Sequence, residues 1–327
     1  MINKLKNYLK KNLFSQEIYP GDWLYNRKIL SWMNQPELGK QLPFPYQIFR
    51  TYSNLYFKLF QGNKLIGGRE LFNFIQYLFP QKDHLKLSLS KYDVFLELSD
   101  TRFFQVVNEL NSQSSDARVL CSLLKENDTF IDIGANHGSF SIVASKLLNH
   151  EGLVISIEPQ PLISQALEKS LALNAGCDFT VYQVAIGDHE GEAELLIPQD
   201  TSGSAGIYPK HSGTHKYQVL QCPLKRLDDL LDWQILPGNL VVKIDVEGSE
   251  ILCLSGAREM ITTRKPRLIL EIHPETLKAA GKTGKDLKNL LKTLGYKWYS
   301  TMREHEKIID IDDLDMEIQR NVILSMD

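Results

Sequence analysis

The 327-residue sequence lacks any uninterrupted apolar run approaching the ~18 residues that cross a bilayer, so no membrane-spanning helix is expected. Its opening, MINKLKNYLKKNLFS, carries lysines but neither the apolar stretch nor the cleavage site of a secretory signal, and the expectation is a soluble, cytoplasmic protein. Cysteine is scarce. Cys121, Cys177, Cys222 and Cys253 stand far apart, without a C-x-x-C pair or a histidine at metal-ligand spacing. Neither a disulfide framework nor a zinc site follows, and buried free thiols are the preferred reading. Net charge is also small, −3 from 37 basic and 40 acidic side chains, which gives no electrostatic reason to expect nucleic acid. No internal repeat is visible.

What is present is ordinary for a folded protein: 43% hydrophobic and 24% charged residues, in a length that suits roughly two domains of about 150 residues. The distribution is uneven. Residues 1–110 hold 15 of the 37 Lys and Arg but 9 of the 40 Asp and Glu, together with 21 of the 31 aromatic residues. The chain is therefore divided into a basic, aromatic-rich extension over 1–110, mainly helical and then edge strands, and a ligand-binding domain over 111–327. In the extension, Ile2, Leu5, Leu9 and Leu13 fall at helical spacing beside a basic face, and a helix packed on the core is preferred to one lying on a membrane. GGRELFNFIQYLF suggests a further helix, and the alternation in LKLSLS and VFLEL predicts a hairpin or edge strands.

From residue 117 onward, apolar runs rich in β-branched residues alternate with stretches of helical period. Strands are expected at 129–133, 153–157, 179–186, 240–245 and 267–272, with helices at 138–149, 161–173, 248–262 and 276–294. Continuous apolar strands are buried on both faces, so the pattern predicts right-handed βαβ units on a mostly parallel sheet. EAELLI and YQVLQC interrupt it as two strands joined by TSGSAGIYPKHSGTH, too long for a simple connection. GYKWYS, KIIDI and NVILSM should add antiparallel strands at one sheet edge.

The sharpest chemical signal is the run Thr129-Phe-Ile-Asp-Ile-Gly-Ala-Asn-His-Gly138, a strand entering a small-residue turn and then a helix. Gly134 and Gly138 permit a tight turn and the approach of a nucleotide-like ligand to the backbone. The middle glycine of the dinucleotide fingerprint is missing, and Asp132 places a carboxylate at the turn's entrance. A carboxylate repels a pyrophosphate and attracts a cation, so S-adenosylmethionine, a sulfonium without phosphate, fits better than a nicotinamide dinucleotide. Glu158, twenty residues past Gly138 and ending LVISIE, is placed to accept both ribose hydroxyls. Ala185 and Ile186 border the adenine in this reading, while Asp188 is equally a turn former. Lys243-Ile-Asp-Val-Glu-Gly-Ser-Glu250 ends the fourth strand, and strand ends face the ligand crevice in a doubly wound sheet, so Asp245 and Glu247 flank the transferable group. Glu250 is better explained by the helix N-terminus.

With these elements in order, the chain resembles the FkbM family of S-adenosylmethionine-dependent methyltransferases over about residues 90–300, through FIDIGANHGSFS, ISIEPQP, ALEKSLALNAG, VAIGDHEGEAEL, TSGSAG, VVKIDVEGSEILCLSGA and LILEIHP. The resemblance implies a class I methyltransferase fold, α/β and Rossmann-like, with a mostly parallel seven-stranded sheet. It implies O-methylation of a hydroxyl on a small molecule, a secondary metabolite or sugar, free or carrier-bound. It assigns Asp132, Gly134, Ala135, Asn136 and Gly138 to the cofactor turn, Glu158 and Pro159 to the ribose side, Ala185 to the adenine side, and Asp245 and Glu247 to the active-site end of the fourth strand. Ser202 and Ser204 would lie near the acceptor mouth. His137 stands at a variable place and receives no role.

Methyl transfer depends mostly on alignment, and a base that removes the hydroxyl proton adds ~10²–10⁴ in rate. Asp245 or Glu247 is expected to orient the acceptor, and His273 in LEIHP is the candidate base. No metal is called, although Asp245 with neighbouring acids leaves Mg²⁺ open. Two other readings stand beside this one: a non-catalytic binding module that keeps the cofactor fold, and an N-methyltransferase on a similar scaffold.

Overall fold

The computed structural model describes residue 25 and residues 27–60, 63–79, 84–111, 116–198, 202–208 and 217–327. The expected helix at the start of the chain lies outside them, as do Thr201 and residues 209–216 of the long loop.

Thirteen strands occur among the described residues: β1 (Leu85–Ser88), β2 (Asp93–Leu96), β3 (Thr129–Ile133), β4 (Leu153–Ile157), β5 (Asp178–Tyr182), β6 (Ala185–Ile186), β7 (Gly191–Pro198), β8 (Tyr217–Lys225), β9 (Leu240–Ile244), β10 (Arg267–Ile272), β11 (Trp298–Thr301), β12 (Ile309–Asp310) and β13 (Arg320–Ser325). Eight of them form the main sheet, in the order β12-β11-β13-β10-β9-β3-β4-β5. β10, β9, β3, β4 and β5 run parallel, while β13 pairs antiparallel with both β10 and β11. This is the expected doubly wound sheet with antiparallel strands at one edge, plus the two-residue β12 as an eighth. The predicted strand 179–186 is broken: β6 leaves the main sheet and pairs with β8, which with β7 makes a separate three-stranded sheet.

Alternation within the strands builds two cores. Phe130, Val154, Val241, Ile269 and Ile323 face one side of the sheet, and Ile131, Ile155, Val242, Leu270 and Val322 face the other. Successive side chains of a strand point to opposite faces, so continuous apolar runs are what a sheet covered on both faces requires. The second face is covered by helices α6 (Glu250–Gly256), α7 (Arg258–Arg264) and α9 (Gly284–Thr293), where the predicted helices 248–262 and 276–294 are each interrupted, the latter between α8 (Pro274–Ala279) and α9.

The first face carries α4 (Ser139–Leu147) and α5 (Pro161–Asn174), and on them the extension: α1 (Phe44–Leu59), α2 (Gly68–Leu78) and α3 (Arg102–Asn111). Its aromatic residues interlock edge to face, with Phe72 centred 5.8 Å from Phe49 and 5.5 Å from Phe104. Such pairs add ~0.5–1.5 kcal/mol each beyond the area they bury. The same core continues through Phe103, Phe104 and Val107 to Phe140, Val143 and Ala144 of α4. Residue 110 is thus a change of composition and not a gap between two cores. The hairpin β1–β2 is antiparallel as expected, and it is pinned to α5, where Ser170 Oγ accepts from Phe95 N at 2.8 Å.

Candidate active site

The carboxyl ends of β3, β4, β9 and β10 open into a cleft of about 740 Å³. Gly134, Asn136, Glu158, Pro159, Ala185, Ser202, Ser204, Asp245, Glu247 and His273 all lie on its wall. Asp132, Ala135 and Gly138 do not.

The turn after β3 is shaped by three residues in the left-handed region, Gly134 (φ 76°), Asn136 (φ 51°) and Gly138 (φ 80°). Glycine is needed here for the protein's own packing. A Cβ on Gly134 would run into the carbonyl oxygen of Asp245, and one on Gly138 into the side chain of Leu167. The close approach of β3 to β9 and of the turn to α5 thus adds a packing reason for glycine, and Gly134 also faces the cleft.

Asp132 is not at the entrance. Only 1% exposed, it accepts from Ser141 Oγ at 2.7 Å and lies 3.6 Å from Lys243 Nζ, behind the wall. Burial raises its pKa against the pull of Lys243. The carboxyl groups on the cleft wall include instead Glu158, Asp245, Glu247 and Glu271. Glu158 Oε2 accepts from Asn136 N at 2.9 Å, and Oε1 from Gln160 N at 2.9 Å and Gln160 Nε2 at 3.1 Å. Burial, partly offset by those donors, pushes the Glu158 carboxyl up to about 7. An ionised carboxylate has about four lone-pair directions, so one remains for a hydroxyl, and the Gln160 side chain can yield a second. The apolar Ile157, Val184, Ile186 and Phe140 also line the cleft. Asp188, by contrast, sits outside the cleft beside His189.

At the other end of the cleft, Asp245, Glu247 and Glu271 bring carboxylate oxygens within 4.8 Å of one another. Lys243 Nζ donates to Asp245 Oδ2 at 3.0 Å. Burial opposes the charge on Asp245, but Lys243 and a hydrogen bond from Glu271 overcome it and hold this carboxyl well below its ordinary value. Burial and the Asp245 charge act together on Glu271 and hold it well above. The pair is therefore an ionised Asp245 beside a protonated Glu271, with Gln319 Nε2 donating to Glu271 Oε1 at 3.2 Å. Two carboxylates so close cannot both ionise freely. Glu247 takes φ 51°, a conformation costly for a residue with a side chain and characteristic of functional turns. His273 caps α8, its carbonyl accepting from Thr276 Oγ1 at 3.0 Å.

Sequence reasoning missed Glu271, although an acid inside the apolar run LILEI was the available signal. It also missed the far wall, where Gln319, Asn321 and Arg303 close the cleft, and Lys28, Arg102, Gln105 and Glu109, through which the extension reaches the site. No described helix is long and apolar enough to cross a membrane.

Residues 132–298 match the family model described as the methyltransferase FkbM domain. Among curated relatives, the chain is 26% identical over 188 residues to the hexuronic acid methyltransferase AglP of Haloferax volcanii, covering 57% of this chain and 70% of that one. It is 23% identical over 177 residues to the 31-O-demethyl-FK506 methyltransferase FkbM of Streptomyces tacrolimicus, covering 46% and 67%. Among solved structures, methyltransferase FkbM of Methylobacillus flagellatus aligns with 16% identity and a TM-score of 0.36, over 68% of this chain and 54%, about half, of that chain.

Proposed function

The chain belongs to the FkbM methyltransferase family, with S-adenosylmethionine as its cofactor, and from that premise we propose that it methylates a hydroxyl oxygen of a small molecule, a secondary metabolite or sugar. The observation that carries this reading is one cleft whose wall carries both the Glu158 carboxyl and the Asp245–Glu271 pair. The two curated relatives are named for a hexuronic acid and for 31-O-demethyl-FK506, both oxygen-bearing acceptors.

Bound S-adenosylmethionine supplies an electrophilic methyl group on a sulfonium. Glu158, Asn136 and Pro159 hold the ribose end, Ala185 and Ile186 the adenine side, and the negative wall favours the cation. The chain's main catalytic work is positioning. Asp245, kept ionised by Lys243, orients the acceptor through its charge and leaves the hydroxyl proton to the base. Glu247 shapes the same pocket, and His273 takes the hydroxyl proton on a ring nitrogen. Ser202 and Ser204 line the acceptor mouth, and the extension forms its outer wall.

Mass-spectrometric screening of hydroxylated metabolites and sugars for the gain of one methyl group tests the activity. Asp245→Asn, Glu247→Gln and His273→Gln should each lower turnover at saturating cofactor, by ~10² or more for the base. Turnover that survives all three removes the acid–base assignment, and a protein that does not bind S-adenosylmethionine removes the whole reading.

A further inference from the structure

We propose that His137, Ser202 and Asp100 are positioning residues, linked in a one-directional hydrogen-bond chain that ties the ribose carboxylate Glu158 to the acceptor-side loop Ser202–Ser204. The proposal rests on the methyltransferase reading for what the chain serves, but the chain itself is read from donors and acceptors.

Each link fixes the polarity of the next. The backbone N–H of Glu97 donates to His137 Nε2 at 3.3 Å, so that nitrogen must carry a lone pair. His137 is 1% exposed, and burial, with the Arg102 guanidinium next, holds its ring down at about 3, hence neutral. A neutral ring has one N–H, which the first link places on Nδ1. Nδ1–H then donates to Asn136 Oδ1 at 2.9 Å, which the His137 backbone N–H also reaches at 2.9 Å. That fixes the Asn136 amide, whose Nδ2–H donates to Ser202 Oγ at 2.6 Å. The Ser202 hydroxyl is thereby turned to donate to Asp100 Oδ2, and Asp100 Oδ1 receives the Ser202 backbone N–H at 2.8 Å. Asn136 also donates its own backbone N–H to Glu158 Oε2 at 2.9 Å.

Two consequences follow. Glu158 and the loop are held by the same residue, Asn136, so a ligand that engages Glu158 and a change in loop order must influence one another, and linkage makes the influence reciprocal. Asp100 anchors the far end from outside the cleft, since it is buried and absent from the wall. It belongs to the extension, which on this account sets the acceptor loop through one carboxylate. Such buried, fully partnered networks specify a single arrangement.

Asp100→Asn tests this without touching the cleft. The amide keeps the shape of the side chain but presents N–H where Ser202 O–H donates, so the last link meets a donor with a donor. The probe is S-adenosylhomocysteine, titrated by calorimetry, with amide hydrogen exchange followed at residues 136–137 and 202–206. Asp100→Asn should weaken the probe by roughly three- to tenfold, the worth of about one hydrogen bond. It should also speed exchange in both segments, and probe binding should slow exchange at 202–206 in the unsubstituted protein. Ser202→Ala should reproduce these effects, and the double variant should be no worse than Ser202→Ala alone. Effects that simply add, or faster exchange confined to 202–206 with residues 136–137 unmoved, overturn the chain. If the unsubstituted protein does not bind the probe, the cofactor reading fails by itself, and the exchange at 136–137 in Asp100→Asn still decides the linkage.

Discussion

Lys243 Nζ stands between two carboxylates, 3.0 Å from Asp245 and 3.6 Å from Asp132, and is itself 6% exposed. Burial works against its charge, but Asp245 and Asp132 outweigh burial and hold its pKa above the ordinary lysine value. One buried cation thus supports the acid that follows β9 on one side and the acid of β3, below the glycine turn, on the other. Lys243→Met leaves both acids without it. Removing one partner of a buried ion pair costs ~3–5 kcal/mol. The thermal midpoint measured by scanning calorimetry should fall by several degrees, and an unchanged midpoint would mean that the acids are neutral without Lys243.

Glu271 and Asp245 are chemically similar but should respond differently to amide substitution. Glu271 already holds a proton, so Glu271→Gln replaces one neutral group by another and should cost less than about tenfold in turnover. Asp245→Asn removes the charge proposed to orient the acceptor and should cost clearly more than Glu271→Gln. Single-turnover assays on the two variants with an acceptor from the metabolite screen check the order. Equal losses would assign the proton differently.

Glu158 gives the cleft a pH dependence with a defined sign. With its carboxyl raised from 4.5 to about 7, the ionised form, proposed above to accept the ribose hydroxyls, gains population as pH rises through 7. Affinity for S-adenosylhomocysteine should therefore increase from pH 6 to 8, and calorimetry in buffers of different ionisation enthalpy should detect proton release on binding. Glu158→Gln should bind at least tenfold more weakly, about the worth of a hydrogen bond to a charged group, and lose this dependence.

The same displacement governs the stability of the free protein. Glu158 and Glu250 are both raised by burial to about 7, so their favourable contribution is complete below pH ~4.5 and is lost as pH climbs through 7. Each carries at most about 3 kcal/mol of pH-dependent stability. Denaturant midpoints of the free protein should fall between pH 5 and 8, and saturating S-adenosylhomocysteine should flatten the fall. A midpoint that rises over this range would contradict the buried, neutral state of both acids.

Deleting residues 1–80 should not yield a soluble cofactor-binding remainder. Phe103 and Phe104 would lose Tyr25, Trp32, Phe49 and Phe72, leaving a large apolar face in water. Soluble yield and size-exclusion behaviour check this. Arg102→Ala, at the cleft edge, is the better probe of the extension as an acceptor wall, and it should raise acceptor KM more than it lowers kcat.

The sheet was largely legible because its strands are apolar on both faces, and the βα alternation left few ways to arrange them. The apolar pattern over 179–186 does not show the break between β5 and β6, since β-branched residues continue through the point where the chain leaves one sheet for another. At the candidate site, residues carried by a local motif, such as Glu158 and Asp245, do lie on one cleft wall. Those defined by distant partners are not legible: nothing in the spacing couples Asp100 to Ser202, or puts Lys243 beside Asp132. Asp132 suggests a ligand's role in the sequence because charge is visible there and burial is not. The glycines were identified for their freedom of φ, but which neighbour demands it is a matter of tertiary packing.

Ile131 on β3 pairs with Ile155, close by along the chain, and with Val242, far along it. Glu158 follows the first of these neighbours and Asp245 the second, so the cleft exists only after the distant pairing has closed. Ligand capture is therefore a late event in the life of each molecule, and during refolding the appearance of cofactor affinity should lag behind the recovery of helical signal.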